Sequence, residues 1–251
     1  MASIKDTLPF RNEVIDVFIA LSQYATDDGT SDVVRRFLER LLPLGYWPKE
    51  SGSWIKGQAD NFAFLNQELF LYCLAAFLKF DRFETVNDLL VREFYLPPVS
   101  NEVQANMVSY SQFNADFPAI NRNNQRQKPR WLSPAGALMK ERAKRTDIRF
   151  DDLMQADFIL FIRSLLHGGR WWPDTLVYAS HHYDCAFEVF ARSQSSTYFN
   201  RAKIALGVAE TAELQTLIRS MTEGSIQLPR WEHETFDPAV LSNIKRIATQ
   251  P

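Results

Sequence analysis

The chain has 251 residues, of which 46% are apolar and 23% are charged, so it can bury a substantial core and has the composition of a globular protein. Its nine glycines are too few for the many tight turns of a sandwich or barrel, and its two cysteines, Cys73 and Cys185, indicate a reducing, cytoplasmic environment rather than a disulfide framework. The net charge of −2 excludes a strong overall attraction to nucleic acid or to membranes.

The first 98 residues are predicted to fold as four helices. An apolar stripe in residues 9–27 has helical spacing, and a second helix over 33–42 follows three residues that can cap it. The third, over 60–80, contains the longest apolar run of the chain, which is about half the length of a membrane span. The fourth helix is predicted over 86–96. The apolar stripe of the first helix, in residues 9–27, consists of Val14, Phe18, Leu21 and Ala25. A Trp-containing loop precedes the third helix, and a short turn joins the third and fourth helices into an αα-hairpin, the unit of helical bundles. Residues 1–98 are therefore predicted to form an N-terminal helical bundle.

The middle of the chain differs in composition. Residues 99–132 are rich in Asn, Gln, Ser and Pro and show no sustained periodicity, so we expect a long polar and basic loop or a linker. A helix then begins at Pro134, with Ser133 as its N-cap. The next helix has acidic residues in its first turn and Arg163 near its end, as the helix dipole favours. The later helices are predicted over 150–166, 196–206, 211–221 and 238–248.

A β-hairpin is predicted near residues 175–191. The segments 175–179 and 186–191 are short and rich in β-branched and aromatic residues, and the polar sequence SHHYDC lies between them. The predicted fold class is therefore mainly α: a helical bundle in two halves, 1–98 and 133–251, with a small β-hairpin in the second half.

The hairpin loop is the strongest candidate for chemistry, because it holds two of the four histidines and one of the two cysteines. His181 and Cys185 could form part of a zinc site, but His167 or His233 would have to complete it, and no CxxC, HExxH or HxH spacing supports that. We therefore predict no metal and no cofactor. The weak catalytic candidates are Asp174, His181, His182, Asp184 and Glu188.

Two nuclease patterns lie in the same region. The residues Pro173-Asp174 and Glu188-Val189-Phe190 resemble the PD-(D/E)xK nuclease signature, but Phe190 replaces the lysine that would stabilise charge or position the attacking water. The pair Arg163 and His167 resembles the Arg-x4–6-His motif of the HEPN ribonucleases, but only three residues separate the two. Both patterns fail at a chemically necessary feature.

Positive charge is concentrated between residues 120 and 149. Nine basic residues against two acidic ones give this segment a surplus of seven, which leaves −9 for the rest of the chain. Interleaved Asn, Gln and Trp side chains are typical of surfaces that follow phosphates and stack on bases, although an acidic protein surface would also fit. The predicted nucleic-acid or acidic-partner residues are Arg122, Arg126, Lys128, Arg130, Trp131, Lys140, Arg142, Lys144 and Arg145.

Three functions follow from these patterns, in decreasing order of support. The first is a non-enzymatic helical module that binds a partner protein or a copy of itself within a larger complex. The second is a nucleic-acid-binding protein that uses the basic segment 120–149. The third is a metal-dependent nuclease or hydrolase around residues 174–188. We expect no membrane partner.

Overall fold

A computed structural model describes residues 4–25, 29–46, 57–99, 106–126, 132–144, 146–230 and 235–251. Within these ranges the chain forms twelve α-helices and one two-stranded antiparallel sheet, which confirms the mainly α class with a small β-hairpin. The helices are α1 (Leu8–Tyr24), α2 (Thr30–Leu41), α3 (Asp60–Lys79), α4 (Phe83–Val91), α5 (Pro118–Arg126), α6 (Pro134–Ala143), α7 (Phe150–Leu166), α8 (Asp174–Ala179), α9 (Glu188–Arg192), α10 (Ser196–Leu206), α11 (Thr211–Thr222) and α12 (Pro238–Leu241). The strands are β1 (Phe94–Leu96) and β2 (Asn106–Val108). Lys128, Arg130, Trp131, Arg145 and His233 lie outside the described residues, as does the side chain of His181.

Helices α3 and α7 form the centre of the core and pack against each other. Fifteen of the 20 residues of α3 and 14 of the 17 residues of α7 are buried, because both helices are apolar on most of their faces. By length and composition α3 is also the one described helix that could cross a membrane, but 78% of that stretch is buried inside the protein. The division into halves 1–98 and 133–251 stays a prediction, and one buried cluster includes residues from both.

Several helix ends confirm the signals read from the sequence. The Ser133 hydroxyl accepts a hydrogen bond from the Gly136 amide at 3.0 Å, which caps α6. Gly207 ends α10 in the left-handed conformation, with φ of 70°. The last predicted helix is shorter than expected: α12 ends at Leu241 because Asn243 is left-handed, with φ of 48°, and a 3-10 turn follows.

The hairpin lies in another part of the chain than predicted. β1 and β2 pair in antiparallel register, with Tyr95 opposite Met107. The predicted fourth helix therefore ends early: α4 stops at Val91, and Phe94 and Leu96 bury alternate side chains of an extended strand.

The predicted hairpin at 175–191 is wrong, because that segment forms α8, a 3-10 turn and α9. Tertiary contacts override the strand preference of its residues. Thr175 donates its amide and hydroxyl hydrogens to the buried Asp157 of α7, which holds the first turn of α8. Tyr178 then packs edge-on against Phe150, with ring centroids 5.8 Å apart.

The predicted loop over 99–132 is partly structured. Besides β2, it contains a 3-10 turn at Tyr110–Phe113 and the nine-residue α5. The Asp60 carboxylate holds the start of α5, because it accepts a hydrogen bond from the Ala119 amide at 2.6 Å. This contact ties α5 to the start of α3, and α5 also packs against α6, where both helices border the same surface groove.

Candidate binding surfaces

The predicted catalytic residue Asp174 is buried and takes part in a structural network. Its carboxylate accepts hydrogen bonds from the Ser133 hydroxyl at 2.7 Å and from the Gln67 amide at 3.0 Å, so it joins α8 to α6 and α3. Burial raises the pKa of Asp174 to about 6, and the negative charge of Asp116 adds to that effect, while the two hydrogen bonds oppose it. The carboxylate thus connects three helices.

A second buried carboxylate lies next to it. Asp157 accepts hydrogen bonds from the Trp171 indole at 2.6 Å and from Thr175, whose amide and hydroxyl lie 2.8 and 2.6 Å away. Burial raises the pKa of Asp157 to about 7; its hydrogen bonds lower it and the charge of Asp174 raises it. No sequence motif had marked Asp157, which lies in the middle of α7.

The other predicted catalytic residues do not converge with Asp174 on a metal centre. His182, Asp184 and Glu188 are exposed, and a carboxylate oxygen of Glu188 lies 3.7 Å from Arg192. Among the described residues, no group of three His, Cys, Asp or Glu side chains lies close enough together to hold a metal ion. His182 instead lines an open cleft of about 420 Å³ together with Lys140. This geometry gives the hydrolase hypothesis no support.

The basic segment separates into exposed and buried residues. Arg122 and Arg126 are exposed on α5, and Lys140 and Lys144 are exposed at α6. Between the two helices lies an open groove of about 750 Å³ whose lining includes both lysines and the amide of Asn123. These residues form what we call the α5–α6 surface.

Arg142 does not belong to that surface, which corrects its predicted role. It is 5% exposed and points into the core, where its guanidinium meets the fully buried Glu68 at distances of 2.8 to 3.1 Å. Arg11 reaches the same carboxylate at 2.9 Å, so Glu68 is shared by two arginines. Nη1 of Arg142 also donates to the Ile4 carbonyl at 2.8 Å, so all three guanidinium nitrogens have partners inside the protein and Arg142 is a structural group.

Helix α1 presents a surface that the sequence analysis missed. The buried residues of α1 are Arg11, Ile15, Phe18 and Ser22, so the face that contacts the core is rotated from the predicted stripe. As a result Phe10, Val17 and Tyr24 are exposed, by 72%, 56% and 78%. They recur every seven residues and therefore share one face of the helix. We call these three residues the α1 seam; their spacing is the signal that could have identified them.

The described residues form a mainly α-helical protein with two notable exposed surfaces, the α1 seam and the α5–α6 surface, and they contain no group of side chains that could hold a metal ion. Comparison with protein families, with curated proteins and with solved structures gives no match to this chain. Its function must therefore be argued from these surfaces.

Proposed function

We propose that the protein is a non-enzymatic interaction module that binds a partner protein through the α1 seam. The observation that carries this proposal is the exposure of Phe10, Val17 and Tyr24 on one face of a regular four-turn helix. Tyr24 and Phe10 are the most exposed large apolar side chains among the described residues. Isolated apolar residues at a surface are ordinary, but a row of three along one helix is typical of a helix that packs against a partner.

The energetics support the same proposal. Burial of a side chain as large as Phe or Val stabilises a complex by roughly 1.5 to 3 kcal/mol. Three such residues along one helix could therefore form the centre of an interface, because a few buried anchors contribute most of the binding free energy. The opposite face of α1 is held against α3, so the seam is presented on a rigid support.

Co-purification of the full chain from its native host tests the proposal. The seam variant carries Phe10→Ser, Val17→Ser and Tyr24→Ser, and the matched control carries Val33→Ser and Val91→Ser, which are 60% and 65% exposed elsewhere. We expect the wild type and the control to retain the same partner, and the seam variant to lose it while unfolding at the same temperature.

Light scattering supplies the second measurement. The proposal predicts a mass above 29.0 kDa for the wild type, alone or with its partner, and 29.0 kDa for the seam variant. A wild-type monomer that retains nothing contradicts the proposal, as does a seam variant that retains the same partner as the wild type.

A second candidate function is the binding of nucleic acid by the α5–α6 surface. Lys140 and Lys144 line the groove together with Glu141, and Arg122 and Arg126 are exposed on the neighbouring α5. Binding of a polyanion to such a surface releases counterions, so it weakens steeply as the salt concentration rises. Charge reversal of Arg122, Arg126, Lys140 and Lys144 is expected to abolish binding of a labelled single-stranded oligonucleotide. Reversal of the exposed Arg219 and Arg230 serves as the control. Unchanged affinity after the first reversal would remove this candidate.

A further inference from the structure

The α1 seam has the geometry of a helix-packing surface. Between Phe10 and Tyr24, the exposed positions Glu13, Val17 and Ala20 follow the three- and four-residue spacing of a coiled-coil seam. At 1.5 Å per residue the seam is about 21 Å long, so it matches a partner helix of two heptads. The face suits an amphipathic helix whose apolar residues repeat every seven positions.

The two charged residues of α1 that lie on or beside the seam are both acidic. Glu13 lies on the seam between Phe10 and Val17, and Asp16 borders it; both are exposed, and neither has an ion pair within the described part of the chain. The one basic residue of α1, Arg11, is buried against Glu68. A partner therefore meets an apolar row whose N-terminal half carries two negative charges, while Arg82 donates to the carbonyls of Ser22 and Gln23 near its C-terminal end. Like charges across an interface oppose association.

A second copy of this chain fits the shape of the seam but not its charge. An antiparallel pair of α1 helices centred on Val17 would place Phe10 of each copy against Tyr24 of the other. The same arrangement would bring the two copies of Asp16 close to the symmetry axis, because Asp16 adjoins Val17. A parallel pair would place Glu13 against Glu13. Electrostatic repulsion thus opposes both modes of self-association.

We infer that the partner presents an amphipathic helix with an apolar seam bordered by lysine or arginine. This inference rests on the proposed function of the α1 seam and adds the chemistry of its partner. Cations beside the partner's apolar residues would pair with Glu13 and Asp16 while those residues pack on Phe10, Val17 and Tyr24. The charged border then gives specificity, and the apolar row gives most of the affinity.

Two synthetic helical peptides test the inference on the full chain. Both carry leucine at every seam position of about three heptads; one has lysine and the other glutamate at all flanking positions. Fluorescence anisotropy is expected to show the lysine peptide binding about tenfold more tightly at 100 mM salt, with the preference lost near 1 M salt, where screening is strong.

Two sets of variants assign the binding to named residues. The combined Glu13→Gln and Asp16→Asn substitutions are expected to remove most of the preference for the lysine peptide, and the seam variant to abolish binding of both peptides. Replacement of the exposed Glu210 and Glu223 by glutamine is the control and leaves the preference unchanged. Because every substituted residue is exposed, thermal unfolding is expected to match that of the wild type.

The possible results separate the inference from the proposed function. If the wild type binds the two peptides equally well and the seam variant binds neither, the inference is overturned and the proposed function stands. Failure to bind either peptide also overturns the inference, while the co-purification experiment decides the proposed function. A wild-type dimer of twice 29.0 kDa that Val17→Asp dissociates identifies a second copy as the occupant and overturns the inference as well.

Discussion

The substitution Glu68→Gln tests the interpretation of the buried charge cluster of Arg11, Glu68 and Arg142. The carboxylate of Glu68 is fully buried and neutralises two buried guanidinium groups, with N–O distances of 2.8 to 3.1 Å. Glutamine has nearly the same shape but no charge, so the variant would leave two cations in the core without a counter-charge. The loss is therefore electrostatic, with little change in packing.

The expected magnitude follows from this geometry. Removing one partner of a buried ion pair costs about 3 to 5 kcal/mol, which is a large share of the roughly 5 to 15 kcal/mol that stabilises a domain. At about 2 to 4 °C per kcal/mol for a chain of this size, the unfolding temperature is expected to fall by on the order of 10 °C. Urea unfolding followed by circular dichroism at pH 7 measures the change in free energy.

Controls on the same helices sharpen this test. Glu141→Gln removes an exposed carboxylate of α6 and is expected to change stability by less than about 0.5 kcal/mol. Arg142→Met is expected to cost less than Glu68→Gln, because a neutral Arg11–Glu68 pair remains, but more than Lys144→Met at the exposed end of α6. If Glu68→Gln unfolds at the same urea concentration as Glu141→Gln, the electrostatic explanation is refuted.

Two further predictions concern the interior. Because the folded-state pKa of Asp157 is raised to about 7, the native protein binds more protons than the unfolded chain between about pH 4 and pH 7, so stability is expected to fall as the pH rises through this window. Urea unfolding at pH 5 and pH 8 measures this change in stability. If the Asp157→Asn variant loses as much stability between the two pH values as the wild type, the assignment to Asp157 is contradicted. Gly136→Ala is expected to cost about 1 to 3 kcal/mol, because a Cβ there would lie 2.4 Å from the Asp174 carbonyl oxygen, whereas at Gly169 it would meet nothing closer than 3.6 Å. Equal thermal stability of Gly136→Ala and Gly169→Ala would show that α6 and α8 are not held that closely.

The sequence predicted the long core helices well and the short elements poorly. Helices α3 and α7 are mostly apolar over 20 and 17 residues, and segments of that length favour a helix over a strand. The segment over 175–179 is five residues long, and a run that short is compatible with a strand or a helix. The hydrogen bonds from Thr175 to Asp157 decide in favour of the helix, and they join residues that no local pattern connects.

Arg142 shows how far periodicity could have improved the site prediction. The buried positions of α6 include Ala135 and Met139, and Arg142 lies three residues after Met139 on the same face. Helical spacing alone therefore indicates that Arg142 points inward while Lys140 and Lys144 point outward. Its partner Glu68 lies 74 residues away in α3, so the identity of the ion pair required the structure.

The charge cluster in the core and the exposed seam on α1 have a common cause. Phe10 and Arg11 are neighbours in the sequence, yet the arginine is buried and the phenylalanine is exposed. Rotation of α1 by about 100°, one residue of helix, would bring Phe10 to the position of Arg11 but would turn the fully buried Ile15 to the exposed position of Asp16. It would also pull Arg11 away from the fully buried Glu68 and break the ion pair that joins α1 to α3. The Arg11–Glu68 pair, together with the burial of Ile15, thus sets the rotation of α1. That rotation turns Phe10, Val17 and Tyr24 outward, where a partner can cover them.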